Sequence, residues 1–414
     1  MALSGSKSDA PDVRHCRSRA DRGSAAVALR EEGFGGDLVL IGAAPEVPYE
    51  RPPLSKEYLR GEATLEDLLV RPPNFYPDQG IQTRLGMRAT KVDLEGKVVE
   101  LEDGSRLPYD KFLLATGGRN RRPPIKGLDL DGVYDLRTVS DADSIRSEVA
   151  PGRKAVIVGM GFIGSEVTAS LRMLGVEVSV IARSKLPLAR VLGEEIARVM
   201  ESIHRDQGVE MVFEDAVEAF EGIGRVGRVR TQGGRVIACD FVVVGLGIEP
   251  ITEVVADSAV RIENGIVVDE YCQASVAGVY AAGDVANHYH PVFDRRIRVE
   301  HWQHAIKHGQ AAARSMLGSQ KPYDEVYWFW SDQYNYTLQY AGFATDWDEL
   351  IVRGSLQQRK FVAFYLKGGR ILATASMNRG KDVRQSVGLI KAGIQVDLAR
   401  LRDEAVQVSD LAES

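Results

Sequence analysis

The chain has 414 residues, 44% hydrophobic and 27% charged, which is typical of a globular protein of two or three domains and excludes a disordered or fibrous chain. Its net charge of −6 argues against a nucleic-acid partner, and no apolar run approaches the roughly 20 residues of a membrane helix. The N-terminus has no signal-peptide core, and Cys16, Cys239 and Cys272 are far apart, so we expect no disulfides and a cytoplasmic protein.

Short apolar strands alternate with helical patterns along the chain, which predicts an α/β fold. The predicted strands are Asp37–Gly42, Lys111–Thr116, Lys154–Val158, Val176–Ile181, Asp240–Gly245 and Gly278–Ala281. The helical patterns are Ala25–Gly33, Ile163–Leu174 and Ala305–Met316. After Pro322 the composition shifts towards aromatic residues, which predicts a separate C-terminal domain.

One segment carries a dinucleotide-binding signature. Gly159, Gly161 and Gly164 form the pattern G-x-G-x-x-G, which follows a predicted strand and opens a predicted helix. The first glycine permits a tight turn, the second lets the backbone approach a pyrophosphate, and the third lets helix and strand pack closely. Phe162 and Ile163 lie at the helix N-terminus, whose N–H groups favour phosphate. The alternative is a glycine turn without a ligand.

The end of the next predicted strand bears on the choice of nicotinamide cofactor. NAD sites usually place an acid there for the ribose hydroxyls, whereas an arginine suits the 2′-phosphate of NADP. This chain has Ala182, Arg183 and Lys185 and no acid, so the sequence favours NADPH over NADH. The alternative is that both cations belong to a solvated turn.

Four further motifs carry a family resemblance. They are PYERPPLSK at residues 48–56, ATG at 115–117, VYAAGD at 279–284 and WFWSDQY at 328–334. With the central fingerprint, they resemble the FAD-dependent ferredoxin and rubredoxin reductases and the apoptosis-inducing-factor-like proteins of the pyridine nucleotide-disulfide oxidoreductase superfamily. The resemblance covers roughly residues 24–400.

The resemblance implies an α/β architecture with two Rossmann-like domains, one for FAD and one for NAD(P)H, and a C-terminal α+β domain. The FAD domain is expected at residues 1–121 and 251–322, around an NAD(P)H domain at 122–250. The third domain, of interface or dimerisation type, is expected at 323–414, which allows for a homodimer.

The resemblance also implies which residues contact the cofactors. On the flavin side these are Arg51, Lys56, Ala115, Thr116, Gly117, Gly283, Asp284, Glu300, His301 and Trp302. On the nicotinamide side they are Gly159, Gly161, Phe162, Ile163, Gly164, Glu166, Arg183 and Gly247. Asp284 can accept hydrogen bonds from the ribityl chain or cap a helix. The helix after Trp302 can direct its positive N-terminus at the flavin pyrimidine edge or be simply capped.

Lys56, Glu166 and Trp330 are the candidate catalytic residues. In the family, residues that match Lys56 and Glu166 form an ion pair beside flavin N5, which would orient the nicotinamide. Glu166 lies two residues after the last fingerprint glycine and so falls in the first helical turn. The alternative is an exposed surface pair. Trp330 is a candidate for covering the flavin edge, and its alternative is core packing.

Histidines in the C-terminal third raise the question of a metal. His301, His304 and His308 follow helical spacing, with His288 and His290 nearby. Metal sites use such spacing, but no acidic or cysteine cluster accompanies these residues. The sequence therefore favours a helix face and no metal.

The N-terminal FAD fingerprint that the family requires is scrambled in this sequence. Residues 12–24 read DVRHCRSRADRGS, a charged run in place of a buried strand and a glycine turn. Arg17, Arg19 and Arg22 stand where the three glycines are expected, and arginines fit poorly in a strand buried on both faces. As written, the chain is expected to bind FAD weakly.

A local double frameshift explains this segment. Residues 14–22 can be encoded CGA CAT TGT CGG AGC CGG GCC GAC CGG, and loss of the first base gives Asp-Ile-Val-Gly-Ala-Gly-Pro-Thr-Gly, a strand that ends in the fingerprint. The 38 arginines against 14 lysines fit a GC-rich gene that uses CGG. The alternative is a genuinely divergent segment. Codons that do not restore glycines at positions 17, 19 and 22 would contradict the frameshift.

The sequence therefore predicts an NAD(P)H-dependent flavoprotein reductase that passes electrons through FAD to a 2Fe-2S ferredoxin or a rubredoxin of an oxygenase system. Two alternatives stay open, a flavin-binding redox sensor like the apoptosis-inducing relatives and a pseudoenzyme with impaired FAD binding. Acidic partners need a basic landing surface, and two clusters are candidates. They are Arg295, Arg296 and Arg298, and Arg379, Lys381 and Arg384 in an expected loop.

Overall fold

The computed structural model describes residues 13–16 and 20–412, and of residues 13–16 and 20–22 the backbone alone. The chain divides into two compact units. The first unit comprises residues up to Glu50, Glu66–Arg119 and Pro250–Glu325, and the second comprises Arg51–Leu65, Asn120–Glu249 and the residues from Val326. The aromatic C-terminal segment therefore shares a unit with the predicted NAD(P)H domain.

The strands are short and fall into parallel and antiparallel sheets. Up to residue 135 they are β1 (Val13–Cys16), β2 (Leu38–Ile41), β3 (Ile81–Arg84), β4 (Ala89–Asp93), β5 (Val98–Leu101), β6 (Arg106–Pro108), β7 (Lys111–Leu114), β8 (Gly118–Asn120) and β9 (Val133–Asp135). Up to residue 250 they are β10 (Lys154–Val158), β11 (Glu177–Ala182), β12 (Glu210–Phe213), β13 (Val217–Glu221), β14 (Arg228–Thr231), β15 (Val236–Ala238), β16 (Phe241–Val244) and β17 (Ile248–Pro250). The others are β18 (Ile266–Val268), β19 (Val279–Ala281), β20 (Ala286–His290), β21 (Arg295–Ile297), β22 (Trp328–Gln333), β23 (Tyr336–Gly342), β24 (Glu349–Ser355), β25 (Lys360–Lys367) and β26 (Arg370–Met377).

The helices connect these strands. They are α1 (Ala20–Glu31), α2 (Leu65–Leu68), α3 (Phe75–Asp78), α4 (Val139–Ser147), α5 (Phe162–Met173), α6 (Ala189–Asp206), α7 (Trp302–Met316), α8 (Gly380–Ala392) and α9 (Leu398–Arg402). Short 3-10 helices span Pro52–Ser55, Glu253–Val255, Gly283–Val285 and Val408–Ala412. Among the described residues, none of these helices has both the length and the apolar character that crossing a membrane requires.

The first unit is built on a parallel sheet with the strand order β19-β7-β1-β2-β3. The direction of strand succession reverses between β1 and β7, and sheets of this kind bind ligands at the carboxyl ends of the strands beside that switch point. Leu38–Ile41 and Phe112–Leu114 are buried throughout, as expected for parallel strands covered on both faces. Helices α1 and α7 pack against each other.

The backbone of residues 13–16 forms β1, the central strand of this sheet, although the charged sequence argued against a strand there. The strand pairs on both sides, with Cys16 opposite Ile41 and Leu114, because backbone N–H and C=O groups form these hydrogen bonds whatever side chains they carry. Arg17 and Arg19, on which the frameshift hypothesis depends, lie outside the described residues, and so does the side chain of Arg22.

The second unit contains two five-stranded sheets. The first is parallel, with the order β12-β11-β10-β16-β9 and a switch point between β10 and β16. The second is antiparallel, with the order β22-β23-β26-β25-β24, and is formed by the aromatic C-terminal segment. Helix α6 bends at Gly193, whose φ is +72°, and packs its apolar face against the antiparallel sheet in one core cluster. This packing explains why the C-terminal segment shares a unit with the parallel sheet.

Candidate functional site

The fingerprint glycines form a turn that larger residues would obstruct. Gly159 has a φ of +98°, and a Cβ there would lie 2.4 Å from the carbonyl oxygen of Gly245. A Cβ on Gly164 would lie 2.1 Å from the carbonyl oxygen of Gly159. The space around Gly161, the N-cap of α5, is open. The turn therefore leaves a clear approach to the first N–H groups of α5, and its residues fit a dinucleotide pyrophosphate.

A cavity of about 530 Å³ lies beside this turn, and its lining includes Gly159, Ala182, Arg183 and Arg121. Exposed Arg183 also lines a second cavity of about 510 Å³. Lys185, by contrast, pairs with Glu194 at 3.8 Å. Arg183 is therefore better placed than Lys185 to meet a phosphate in the cavity. Gly247, with a φ of +82° and open space around it, follows β16 at the same carboxyl edge of the sheet.

Sequence reasoning missed two acids near Arg183. Glu214 and Asp215 follow β12, which pairs with β11, and both line a cavity with Arg183. A hydrogen bond from Thr231 and others from the backbone, including the N–H of Gly233, lower the pKa of Asp215. The signal was available in the topology, because carboxyl ends of neighbouring parallel strands meet at one edge of the sheet.

Lys56 and Glu166 form the ion pair that the sequence predicted, with Nζ and Oε2 3.0 Å apart. Their exposed fractions are 3% and 4%, which excludes the alternative of a surface pair. The Ser55 hydroxyl donates to Glu166 Oε2 at 2.5 Å, and the Ser331 hydroxyl donates to Oε1 at 2.7 Å. Three donors thus hold the carboxylate in one orientation. Its role in orienting a nicotinamide stays a prediction.

A chain of hydrogen bonds leads from Glu166 to a buried histidine. Gln333 donates from Nε2 to Ser331 Oγ at 3.1 Å, which leaves Gln333 Oε1 to accept from His204 Nε2 at 2.9 Å. His204 Nδ1 then accepts from the Tyr334 hydroxyl at 3.1 Å. Burial lowers the pKa of His204 to about 4, so its ring is neutral and one nitrogen can donate while the other accepts. Every donor in the chain is directed towards Glu166, which as a carboxylate only accepts.

The flavin-side residues of the first unit follow the carboxyl ends of two neighbouring strands. Ala115, Thr116 and Gly117 follow β7, and Gly283 and Asp284 follow β19, whose last residue lies opposite the last residue of β7. Thr116 is buried and donates its hydroxyl hydrogen bond at 2.5 Å to a backbone carbonyl at residue 251. The structure therefore brings these predicted residues to one edge of the sheet.

Asp284 lies in a short turn that is fixed by its backbone. The turn begins at Gly283, whose φ is +72°. The Gly283 N–H donates to Nδ1 of His308 at 3.3 Å, and the Asp284 carbonyl oxygen accepts from Arg298 at 3.1 Å. The Asp284 side chain is nine-tenths buried. These contacts place a buried carboxylate at the strand ends, as a ribityl-binding acid requires.

The first turn of α7 contains the remaining predicted flavin contacts. His301 is the N-cap and makes no side-chain capping bond, and Trp302 is the first helical residue. Burial lowers the pKa of His301 to about 4, although the Asp284 charge opposes this shift. Exposed Glu300 pairs with Arg298 at 2.7 Å. A helix N-terminus, a buried acid and a hydroxyl at the strand ends fit a flavin dinucleotide.

Arg51 and Trp330 lie in the second unit. Arg51 is the N-cap of the 3-10 helix Pro52–Ser55, which brings Ser55 and the following Lys56 to Glu166. Trp330 lies on β22, and its ring stacks on Trp328 at 5.3 Å and 27°. The Trp330 ring is only partly buried, so full core packing does not describe it. Its role in covering a flavin edge stays a prediction.

The first basic cluster is only partly exposed. The Arg298 side chain is 8% exposed and pairs with Glu300. Arg296 is exposed and donates to the carbonyl oxygen of Val268 at 2.7 Å. Arg295 and Arg296 are both exposed, so the expectation of a landing site is wrong for Arg298 and stays a prediction for the other two residues.

The second basic cluster lies on a helix instead of the expected loop. Arg379 is the N-cap of α8 and pairs with Asp382 and Glu404. Lys381 and Arg384, both exposed, project from the first turns of that helix. Within this cluster, Lys381 and Arg384 are the exposed cations.

The comparisons with known proteins agree with this geometry. The model of the pyridine nucleotide-disulphide oxidoreductase family matches residues 23–309, and the reductase C-terminal model matches residues 328–412. Rhodocoxin reductase of Rhodococcus erythropolis is 38% identical over 86% of this chain and 84% of its own length. The ferredoxin reductase subunit of 5,5′-dehydrodivanillate O-demethylase of Sphingobium sp. is 39% identical over 94% of this chain and 95% of its own length.

A solved structure extends the likeness to the whole fold. The covalent complex of putidaredoxin reductase with putidaredoxin contains a chain with a TM-score of 0.94 and 33% identity, over 97% of this chain and 98% of that one. The two parallel sheets, the C-terminal sheet and the fingerprint turn are thus those of a flavoprotein reductase. The chain belongs to the pyridine nucleotide-disulphide oxidoreductase family and has the reductase C-terminal domain.

Proposed function

We propose that this protein is an NAD(P)H-dependent flavoprotein reductase that passes electrons to a small 2Fe-2S ferredoxin serving an oxygenase. The observation that carries the proposal is the likeness, over nearly the whole chain, to a reductase captured in covalent complex with putidaredoxin. The fingerprint turn and the buried Lys56–Glu166 pair support it from the residues themselves.

FAD, when bound, accepts a hydride from a nicotinamide and passes the electrons on singly. The residues that would hold it in the first unit are Thr116, Asp284 and the first turn of α7. Asp284 offers a buried acceptor for hydroxyls, and the helix N-terminus offers a positive partial charge to an anionic ring. The residues of this chain therefore contribute orientation and electrostatics.

The second unit would bind and orient the nicotinamide cofactor. The open backbone at Gly161 admits the pyrophosphate, and the Lys56–Glu166 pair offers a fixed charge arrangement that does not have to reorganise. Because Glu166 accepts from three donors, it is suited to hold Lys56 in position.

The proposal includes a preference for NADPH. Arg183 is exposed at the cavity, with Arg121 also in its lining, and offers a guanidinium to a 2′-phosphate. Glu214 and Asp215 act against this preference, because acids near Arg183 favour ribose hydroxyls over a phosphate. We place more weight on Arg183 because backbone and hydroxyl donors already engage the Asp215 carboxylate.

The test is electron transfer to a protein acceptor. Purified protein is first examined for flavin absorbance, and then NAD(P)H-driven cytochrome c reduction is measured with and without an added 2Fe-2S ferredoxin. We expect a rate that depends on ferredoxin once flavin is bound, and weak flavin binding if residues 12–24 are as written. Flavin binding with slow, ferredoxin-independent turnover would favour a redox sensor. Absence of flavin, even after incubation with FAD, would favour a pseudoenzyme in which the arginine-rich N-terminal segment impairs FAD binding.

A matched variant separates the N-terminal segment from the rest of the chain. The triple substitution Arg17→Gly, Arg19→Gly and Arg22→Gly restores the glycine pattern that the family uses. If the arginines obstruct FAD, this variant gains flavin that the original chain lacks. If both proteins lack flavin, the deficit lies elsewhere and the proposed function fails.

A further inference from the structure

Three histidines, His288, His304 and His308, lie close together in the interior of the first unit. His304 and His308 are one helical turn apart on α7, and His288 lies on β20. Their exposed fractions are 2%, 0% and 0%. The sequence grouped His304 and His308 with His301 on one helix face, with His288 and His290 nearby, and the structure places His288 against His304 and His308.

The ring nitrogens of this cluster face one another. One nitrogen from each of the three rings lies within 4.8 Å of the other two. The centroids of the His304 and His308 rings are 4.7 Å apart, and those of His288 and His308 are 4.6 Å apart. Nε2 of His308 has no hydrogen-bond partner among the described residues. A buried polar atom without a partner is destabilising and calls for an explanation.

The chemistry of the cluster suits a cation that binds neutral nitrogen ligands. Burial lowers the pKa of all three histidines, which favours the neutral imidazole that metal binding requires. His304 Nδ1 lies 2.9 Å from the Tyr323 hydroxyl, an outer contact of the kind that orients a ligating histidine. Simple packing is the alternative, but aliphatic side chains would fill this space without burying imidazole nitrogens.

We propose that His288, His304 and His308 form a binding site for a divalent transition metal ion, with Zn²⁺ as the first candidate. Imidazole nitrogen is a preferred ligand of late first-row metals, and three histidines leave a fourth tetrahedral position for water. With Zn–N bonds of about 2.0–2.1 Å, tetrahedral ligand atoms are roughly 3.4 Å apart. The ligand nitrogens, which lie within 4.8 Å of one another, therefore need to approach by up to about 1.4 Å, through side-chain rotation.

Metal binding would act on the Asp284 turn. The Gly283 N–H donates to Nδ1 of His308 at 3.3 Å. Ligation through Nε2 moves the proton of the neutral imidazole to Nδ1, where it opposes the Gly283 N–H. The contact is then lost, and the turn that carries Asp284 has to shift. A metal at this site would thus join β20 to α7 and loosen the neighbouring turn.

The experiment measures metal binding by the full-length, tag-free protein as isolated. Equilibrium dialysis against Zn²⁺ gives stoichiometry and affinity, and Co²⁺ gives visible ligand-field bands in difference spectra against the same sample without metal. We expect one ion per chain, and we expect His308→Gln and His304→Gln each to weaken binding by more than about tenfold and to abolish the Co²⁺ bands.

His290→Gln is the matched control. His290 lies two residues from His288 on β20 and is equally buried, but its Nε2 bonds to the Glu325 carbonyl oxygen at 3.0 Å. This variant is expected to bind like the original chain. Only variants with the same secondary-structure content as the original chain are compared. If a variant does not fold, His288→Asn is used in its place. Absence of stoichiometric binding, or equal binding by every variant, would overturn the proposal.

Discussion

Glu166 and Lys56 form an ion pair in which the two partners are unequally supported. The Glu166 carboxylate accepts from the Lys56 ammonium and also from two serine hydroxyls, whereas the hydrogen bond that the structure shows for the Lys56 ammonium goes to Glu166. Both side chains are almost completely buried. A buried charge that loses its counter-ion is strongly unfavourable, and the two single substitutions therefore leave different residues uncompensated.

We expect Glu166→Gln to destabilise the protein more than Lys56→Met. Loss of the Glu166 charge leaves the ammonium buried without a counter-ion, at about 3–5 kcal/mol, whereas loss of Lys56 leaves a carboxylate that still has two hydroxyl donors. Urea unfolding of the single and double variants gives the coupling free energy of the pair. The exposed pair Lys185–Glu194 is the control and is expected to contribute about 0–1 kcal/mol. Equal losses in the two single variants would contradict the asymmetry.

Ser331→Ala is expected to destabilise the protein by about 1–3 kcal/mol, because it removes a donor from Glu166 and an acceptor from Gln333, both buried. Ser376→Ala is the control. Ser376 is equally buried in the same sheet, but its hydroxyl has no partner among the described residues, so its loss is expected to be neutral or stabilising. Unfolding free energies of the two variants check this difference, and similar losses would show that Ser331 acts through packing alone.

His204 is expected to make stability depend on pH. The unfolded state protonates this imidazole as the pH falls below about 6.5, whereas the native state does so only near a pKa of about 4. Protons therefore favour the unfolded state, and stability falls between these two values. At about pH 5 the original chain is expected to lose about 2 kcal/mol of its free energy of unfolding through His204. The variant His204→Gln keeps a polar side chain that does not titrate, so we expect it not to show this loss. Urea unfolding at about pH 5 and about pH 7.5 measures the difference, and parallel pH profiles would refute it.

The sequence predicted the elements that its local patterns determine. The fingerprint helix, expected at Ile163–Leu174, is found at Phe162–Met173, because a strand, a glycine turn and an amphipathic run mark its start. The Lys56–Glu166 pair was also predicted, but only through the family resemblance, since no local pattern relates residues so distant in sequence. Family membership thus supplied a tertiary contact that periodicity could not.

The rest of the site depends on tertiary packing, which leaves no local signal. Ser331, Gln333 and His204 meet because helix α6 packs against the C-terminal sheet, and none of them belongs to a recognisable motif. Arg379, Lys381 and Arg384 were expected in a loop, yet α8 begins at Gly380. Its buried residues, including Val383 and Leu389, pack against the sheet, so tertiary burial outweighs the weak local pattern.

Arg183→Gln is expected to reduce the preference for NADPH over NADH. Loss of a hydrogen bond to a charged phosphate corresponds to about 1.5–3 kcal/mol, or roughly 10–150-fold in kcat/KM for NADPH, with little change for NADH. Lys185→Gln is the control, because Lys185 pairs with Glu194 and is expected to leave the ratio unchanged. A native preference for NADH, unaffected by Arg183→Gln, would show that Glu214 and Asp215 determine the choice.

The double charge reversal Lys381→Glu and Arg384→Glu is expected to slow reduction of an acidic ferredoxin at low salt. Asp382 and Glu404 neutralise Arg379, so Lys381 and Arg384 are the exposed cations that the basic cluster retains. Complementary charge between two partners mainly raises their association rate. The loss should shrink with added salt, since the Debye length is already about 8 Å at physiological ionic strength. Reduction of a small neutral acceptor should stay unchanged. Reversal of the exposed Lys91 and Lys360 is the control, and an equal effect from that variant would show that net charge, and not the surface of α8, controls the rate.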